Sequence, residues 1–73
     1  MKNLNDLPLG ETAKVKQLLP CGEMRRRLLD IGLIPGTLVE CIGKNPSGDP
    51  RAFLIRGTVI AIRSEDCRNI QIV

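Results

Sequence analysis

Residues that favour turns divide this chain into short segments, and this division limits the folds that it can adopt. Residues 20–22, 32–36 and 45–50 each combine glycine or proline with other turn-forming residues. The segments between these turns are long enough for one short helix or for one or two short strands. The chain has 73 residues, so we expect one domain that spans residues 1–73.

Five segments have the composition and periodicity of short β-strands. In the first of them Ala13 and Val15 alternate with polar residues, so we expect the Val15 face to point inward. Gly57 separates two of the segments and suits a tight hairpin turn between them. The predicted strands are residues 11–18, 37–44, 51–56, 58–63 and 70–73.

One segment has the periodicity of a helix instead. Met24, Leu28 and Ile31 follow one another at i, i+4 and i+7, which places them on one face of a helix over residues 23–31. Gly32 provides the expected end, since glycine readily adopts the left-handed conformation that commonly closes helices. The polar residues 64–66 are expected to form a short turn.

These elements predict a mainly β fold with one short α-helix. About five short antiparallel strands in so small a chain suit a partly closed barrel, which limits the number of exposed strand edges. We expect a small SH3-like antiparallel barrel, and an OB-type barrel is the alternative with a similar strand count. Because Phe53 is the one aromatic residue, aliphatic side chains must fill most of the core.

The composition argues against an enzyme. The chain has no histidine and no tyrosine, so no imidazole is available to activate a thiol or to act as a general base. The three cysteines, Cys21, Cys41 and Cys67, are far apart in the sequence, whereas structural zinc sites usually use closely spaced pairs. We expect no catalytic residues, no metal ligands and no cofactor, and cysteines that act as small apolar residues in or near the core.

The charge of the chain is mildly positive, with 11 basic residues, 8 acidic residues and a formal net charge of +3. Arg25, Arg26 and Arg27 form the most prominent basic run, which leaves a small nucleic-acid-binding barrel as one alternative function. No segment has the pattern of a signal peptide or the length of a membrane span, and the cysteines do not suggest a disulfide framework. We therefore expect a cytoplasmic protein.

Several motifs point to a known family. The most specific is Arg-Leu-x-x-x-Gly-Leu-x-Pro-Gly, which runs from Arg27 to Gly36. Further segments extend over nearly the whole chain: Leu4-x-x-Leu7-x-x-Gly10, Pro46-Ser47-Gly48-Asp49-Pro50, Arg56-Gly57, Ala61-Ile62-Arg63 and Ile70-Gln71-Ile72-Val73. In these motifs the chain resembles bacterial ferrous-iron transport protein A (FeoA), the small component of the Feo system.

This resemblance implies an SH3-like fold, a cytosolic location and a partnership with ferrous-iron transport protein B (FeoB). FeoB is the membrane permease whose cytosolic portion hydrolyses GTP. The expected function is therefore that of an accessory or regulatory adaptor, which docks onto FeoB and carries no iron itself. A domain that senses a transition metal directly is the main alternative.

We expect the docking surface to lie on the predicted helix and on the turn that follows it. Leu29 falls off the buried helix face, and Leu33 and Ile34 lie in the turn, so one or more of these three could be exposed as apolar anchors. Arg25 and Arg26 would lie beside them. The alternative is that these aliphatic side chains close one end of the barrel.

Overall fold

The elements of the fold agree closely with the sequence pattern. A computed structural model describes residues 2–19 and 22–73. A short 3-10 helix, Leu4–Asp6, comes first. It is followed by β1 (Thr12–Leu18), α1 (Gly22–Asp30), β2 (Leu38–Lys44), β3 (Arg51–Ile55), β4 (Thr58–Ile62), α2 (Ser64–Cys67) and β5 (Ile70–Ile72). The predicted strands and the predicted helix are confirmed, and no end differs from its prediction by more than one residue.

Residues 64–66, predicted as a turn, are the beginning of the second helix, α2. The backbone N–H of Cys67 donates to the carbonyl of Arg63 at 2.9 Å, which closes one helical turn. Glu65 and Asp66 lie in that turn, where the helix dipole favours acidic side chains. A single helical turn and an ordinary turn favour the same short polar residues, so the sequence does not distinguish them. No helix in the described residues is both long enough and apolar enough to cross a membrane.

The strands form one antiparallel sheet in the order β4-β3-β2-β1-β5. Strand β1 lies between β2 and β5 and divides its pairing along its length: residues 12–14 pair with β2 and residues 15–18 pair with β5. The register of β1 shifts between Val15 and Gln17. Such an irregularity bends a strand and increases its twist, so the sheet curls where β1 passes from one partner to the next.

Strands β3 and β4 form a tight hairpin. Ile55 pairs with Thr58 on either side of the loop, and the two loop residues, Arg56 and Gly57, have positive φ values of 51° and 82°. Two successive positive φ values are characteristic of a type I′ turn, whose twist matches that of paired strands. The predicted hairpin turn at Gly57 is confirmed.

Aliphatic side chains fill the core, as the composition predicts. Val15 points inward and the single phenylalanine, Phe53, is fully buried on β3. The thiols of Cys41 and Cys67 are buried and free, which confirms their predicted place in the core, and Cys21 lies outside the described residues. The buried apolar residues are Leu4, Leu7, Val15, Leu18, Leu28, Leu33, Val39, Cys41, Phe53, Ile55, Ile62, Cys67, Ile70 and Ile72.

Candidate functional site

Helix α1 packs one face against the barrel and leaves the other in solvent. Leu28 is buried, and Met24 and Ile31 are partly buried against the core, so the predicted inward face of the helix is confirmed. Arg25 and Arg26 are exposed on the remaining surface. Since successive helical residues are about 100° apart, Arg25 lies on a different side of α1 from the residues that contact the core.

The end of α1 has a defined geometry that sets the direction of the chain after it. Gly32 has a φ of +91°. Its N–H donates to the carbonyl of Leu29 at 3.0 Å, and the N–H of Leu33 donates to the carbonyl of Leu28 at 2.9 Å. These two hydrogen bonds define a Schellman motif, in which the residue after the glycine packs back against the last turn of the helix.

The structure separates the predicted docking residues into an exposed group and a buried one. Leu29 is 39% exposed and Ile34 is 46% exposed, and both lie near the exposed Arg25 and Arg26 in the sequence. Leu33 has 0% of its surface exposed. The expectation that Leu33 is available as an anchor must be corrected, because the Schellman motif turns its side chain into the core.

A residue that the sequence analysis did not single out, Thr37, holds the turn that carries Ile34. The Thr37 hydroxyl donates to the carbonyl of Gly32 at 3.0 Å and accepts from the N–H of Ile34 at 3.1 Å. The N–H of Thr37 also donates to the carbonyl of Ile34 at 3.0 Å. Thr37 is buried and Ile34 is exposed. These hydrogen bonds therefore fix the turn that carries Ile34 to a buried residue.

The side chain of Arg56, in the β3–β4 hairpin, lies against the end of α1. A Cβ atom added to Gly32 would lie 2.5 Å from Cδ and 3.0 Å from Nε of Arg56. The guanidinium therefore lies close to the carboxyl end of the helix, where a positive charge is favoured by the helix dipole. Arg56 thus connects the β3–β4 hairpin to α1, a contact that no local pattern in the sequence indicates.

A groove of about 350 Å³ lies between α1 and β4. Its helix wall is largely apolar, and Arg27 and Arg63 are its charged lining residues. The wall on the β4 side includes four consecutive residues, 60–63. Because successive strand residues point to opposite faces, a groove that touches all four must also run along the backbone of β4. The lining residues are Met24, Arg27, Leu28, Ile31, Pro50, Ile60, Ala61, Ile62 and Arg63.

Two cysteines of the described residues, Cys41 and Cys67, are buried. Burial raises the pKa of the Cys67 thiol to about 12, although the nearby charge of Arg51 acts in the opposite direction. The Cys67 thiol donates to the carbonyl of Ile62 at 3.6 Å. Within residues 2–19 and 22–73, no group of three or more Cys, Asp or Glu side chains is arranged to hold a metal ion. Both thiols pack within the hydrophobic core.

The fold and this surface define the chain as a small SH3-like barrel with one helix inserted between its first two strands. A FeoA from Stenotrophomonas maltophilia, solved in complex with zinc, is described as a prokaryotic SH3 domain protein and as a candidate activating factor of ferrous iron transport. It is 25% identical with a TM-score of 0.88, and the match covers 100% of this chain and 91% of that one.

Two other solved structures are similarly close. The FeoA protein from Chlorobium tepidum has a TM-score of 0.92 at 28% identity, over 97% of this chain and 68% of that chain. A FeoA-like protein from Clostridium acetobutylicum has a TM-score of 0.85 at 31% identity, over 97% of this chain and 83% of that chain. A search of curated proteins found no match.

The family model for the FeoA domain matches residues 2–73. The chain belongs to the FeoA domain family, which is associated with ferrous iron transport. The resemblance drawn from the sequence motifs is therefore confirmed, and so is the SH3-like fold that it implied.

Proposed function

We propose that this chain is a cytoplasmic accessory domain of ferrous-iron uptake that docks onto the permease FeoB and regulates it by protein contact. Membership of the FeoA family supplies the link to ferrous iron transport. We assign the chain an adaptor role, because the exposed Leu29 and Ile34 offer apolar side chains to a partner and the exposed Arg25 and Arg26 offer cations.

The observation that carries this proposal is the exposure of Leu29 and Ile34 on rigidly held backbone. Large aliphatic side chains that are partly exposed on a fixed scaffold lose little conformational entropy when a partner covers them, so they make effective anchors. Arg25 and Arg26 supply a polar rim of the kind that surrounds the apolar centre of many interfaces. The docking surface is therefore Arg25, Arg26, Leu29 and Ile34.

The test is an amide NMR titration of the full chain with the cytosolic portion of FeoB, with and without guanine nucleotide. We expect saturable shifts confined to the docking surface. The variants Leu29→Ser and Ile34→Asp should each weaken binding about tenfold or more, which is the effect of losing a central apolar contact. Leu9, which is also exposed, offers a matched control in Leu9→Asp, which should leave the affinity unchanged.

Two outcomes would contradict the proposal. If Ile34→Asp keeps both the fold and full affinity for FeoB, this turn is not part of the interface. If the variant loses its dispersed amide spectrum, Ile34 has a structural role, and the alternative that the aliphatic residues close the end of the barrel is correct. Thermal unfolding of each variant distinguishes loss of binding from loss of fold.

A further inference from the structure

Strand β4 forms one edge of the sheet, and part of its backbone is unpaired in the described residues. It pairs with β3 on one side only. In a two-residue hairpin the residues flanking the loop exchange both hydrogen bonds, and every second pair after that does the same. Thr58, Ile60 and Ile62 are therefore bonded to β3, whereas the N–H and C=O groups of Val59 and Ala61 point away from it.

Strand β4 lacks the charges, prolines and bulges that often protect an edge strand. Natural edges carry charged residues, prolines or bulges that prevent another strand from pairing with them. Residues 58–62 read Thr-Val-Ile-Ala-Ile, with no charge and no proline, and their register with β3 is regular. Val59 is 61% exposed. The edge is suited to accept an additional strand.

The groove between α1 and β4 lies along this same edge, and its chemistry indicates what an added strand would carry. Met24, Ile31 and Ile60 give it an apolar lining, and Arg27 and Arg63 are its charged residues. No acidic side chain of the described residues lines it. A segment with apolar side chains for the groove and acidic side chains for the two arginines would match it.

We propose that the edge of β4 and the adjoining groove bind an extended, acidic segment of a partner protein as an additional antiparallel strand. Antiparallel addition continues the pattern of every strand pair in the described sheet. The added strand exchanges backbone hydrogen bonds with Val59 and Ala61, which is the β-augmentation mode of peptide recognition. The site shares no residue with the docking surface of Leu29 and Ile34, so it stands or fails independently of the proposed function.

The register of the added strand assigns a role to each of its residues. Residues opposite Val59 and Ala61 form the hydrogen-bonded pairs, and their side chains lie on the outer face of the sheet with those of Val59 and Ala61. A residue opposite Ile60 has its own N–H directed away from β4 and its side chain directed to the groove. Apolar residues at these alternate positions fill the groove.

The probe is an acetylated, amidated peptide of about seven residues, long enough to cover β4. It alternates valine with threonine and carries glutamate at both ends. We expect saturable shifts at the amides of Val59 and Ala61 and around Met24 and Ile31 in the full chain. The backbone N–H groups of the threonines point to β4, so N-methylation of the threonines should abolish binding. The N–H groups of the valines point away from β4, so N-methylation of the valines should preserve most of the affinity.

Substitutions in the protein test the same strand pairing as the methylated peptides do. Ala61→Pro removes an N–H that β3 does not use, so the hairpin tolerates it, and the peptide should bind about tenfold more weakly or worse. Ala61→Val keeps the N–H and is the matched control. Arg63→Gln should weaken binding about two- to fivefold and reduce the loss of affinity on adding salt.

Three results would overturn the proposal. Absence of saturable shifts rules out the site, and equal losses with both sets of N-methyl groups show that the peptide binds by charge without strand pairing. Shifts of the Val59 and Ala61 amides that depend on protein concentration, with no peptide present, mean that a second copy of this chain occupies the edge. The peptide methylated at its threonines and the peptide methylated at its valines differ only in the placement of the methyl groups. Both are titrated into the wild-type chain, so their comparison remains valid even if a protein variant fails to fold.

Discussion

At the scale of single residues, Cys67 shows how burial changes the chemistry of a side chain. It has no exposed surface, and burial raises the pKa of its thiol from the ordinary 9.0 to about 12. A thiolate is charged and therefore poorly stabilised away from water, so the folded protein holds the proton more tightly than the unfolded chain does. The thiol is correspondingly a poor nucleophile at neutral pH.

This difference in pKa predicts that stability declines in alkaline solution. The raised pKa means that the folded state binds more protons between pH 9.0 and about 12, so the contribution of Cys67 to stability is complete below pH 9.0 and is lost as pH rises towards 12. The free energy of unfolding should fall by at most about 1.4 kcal/mol per pH unit from this group.

Denaturant unfolding of the wild-type chain and of Cys67→Ala across this pH range measures the effect. The difference in unfolding free energy between the two proteins should shrink as pH rises, since the variant has no thiol to ionise. A difference that is constant with pH would show that the Cys67 thiol ionises equally readily in the folded and unfolded states.

At the scale of elements, the junction between α1 and the hairpin depends on Gly32. Its positive φ and its Schellman hydrogen bonds are a local property of the helix end, and the sequence predicts them from the glycine alone. The contact with Arg56 is a long-range property. It requires the hairpin to lie over the helix end, and periodicity within either segment carries no information about that arrangement.

The variants Gly32→Ala and Gly36→Ala separate the cost of backbone strain at a positive φ from the cost of displacing Arg56. The two glycines have nearly equal φ values of 91° and 92°, but a Cβ at Gly36 meets no atom within 4 Å, whereas one at Gly32 meets Arg56. We expect Gly36→Ala to cost about 1 to 2 kcal/mol from backbone strain alone. Gly32→Ala should cost roughly 0.5 to 1 kcal/mol more, because it displaces a cation from the helix end.

Urea denaturation of both variants, each also made with Arg56→Ala, checks this assignment. The additional cost at Gly32 should disappear when Arg56 is absent, and the cost at Gly36 should not change. If the additional cost persists without Arg56, it arises from the backbone of the helix end and the guanidinium contributes nothing.

At the scale of the whole molecule, Arg51 joins parts of the chain that are far apart in sequence. It is only 7% exposed, and its Nη1 and Nη2 atoms donate to the carbonyls of Asn5 and Leu7, each at 2.6 Å. Its guanidinium carbon lies 5.9 Å from the centre of the Phe53 ring. The side chain thereby ties the 3-10 helix and the residue after it to β3.

Arg51→Met should destabilise the fold by roughly 2 to 4 kcal/mol, because the buried carbonyl of Leu7 and the partly buried carbonyl of Asn5 lose charged donors while the apolar volume is largely kept. Arg51→Lys is the matched control. It retains the charge but cannot donate to both carbonyls in the geometry of a guanidinium, so we expect an intermediate loss. Equilibrium urea unfolding measures both, and a loss below about 0.5 kcal/mol for Arg51→Met would show that the two carbonyls find other donors.

The docking surface remains a proposal, and the sequence alone indicated where to place it. Apolar periodicity and the motif that ends at Gly36 place this surface on the predicted helix and the following turn. Both patterns involve only residues that are close together in the sequence. Leu33 shows the limit of such reasoning, since the pattern does not tell it apart from Leu29 and Ile34, yet it is fully buried and they are not. The groove beside β4 was not predicted, because it exists only once α1 packs next to an edge strand.

The sequence by itself determined the number and limits of the strands, the extent of α1, the hairpin turn at Gly57 and the family. These depend on the alternation of side chains, on glycine and proline, and on short motifs, all of which act over a few residues. Only the tertiary structure decided which aliphatic residues face solvent, that Arg51 is buried and that β4 has a free edge. Burial and strand order arise from contacts between segments distant in the chain, and those contacts are made only when the barrel assembles.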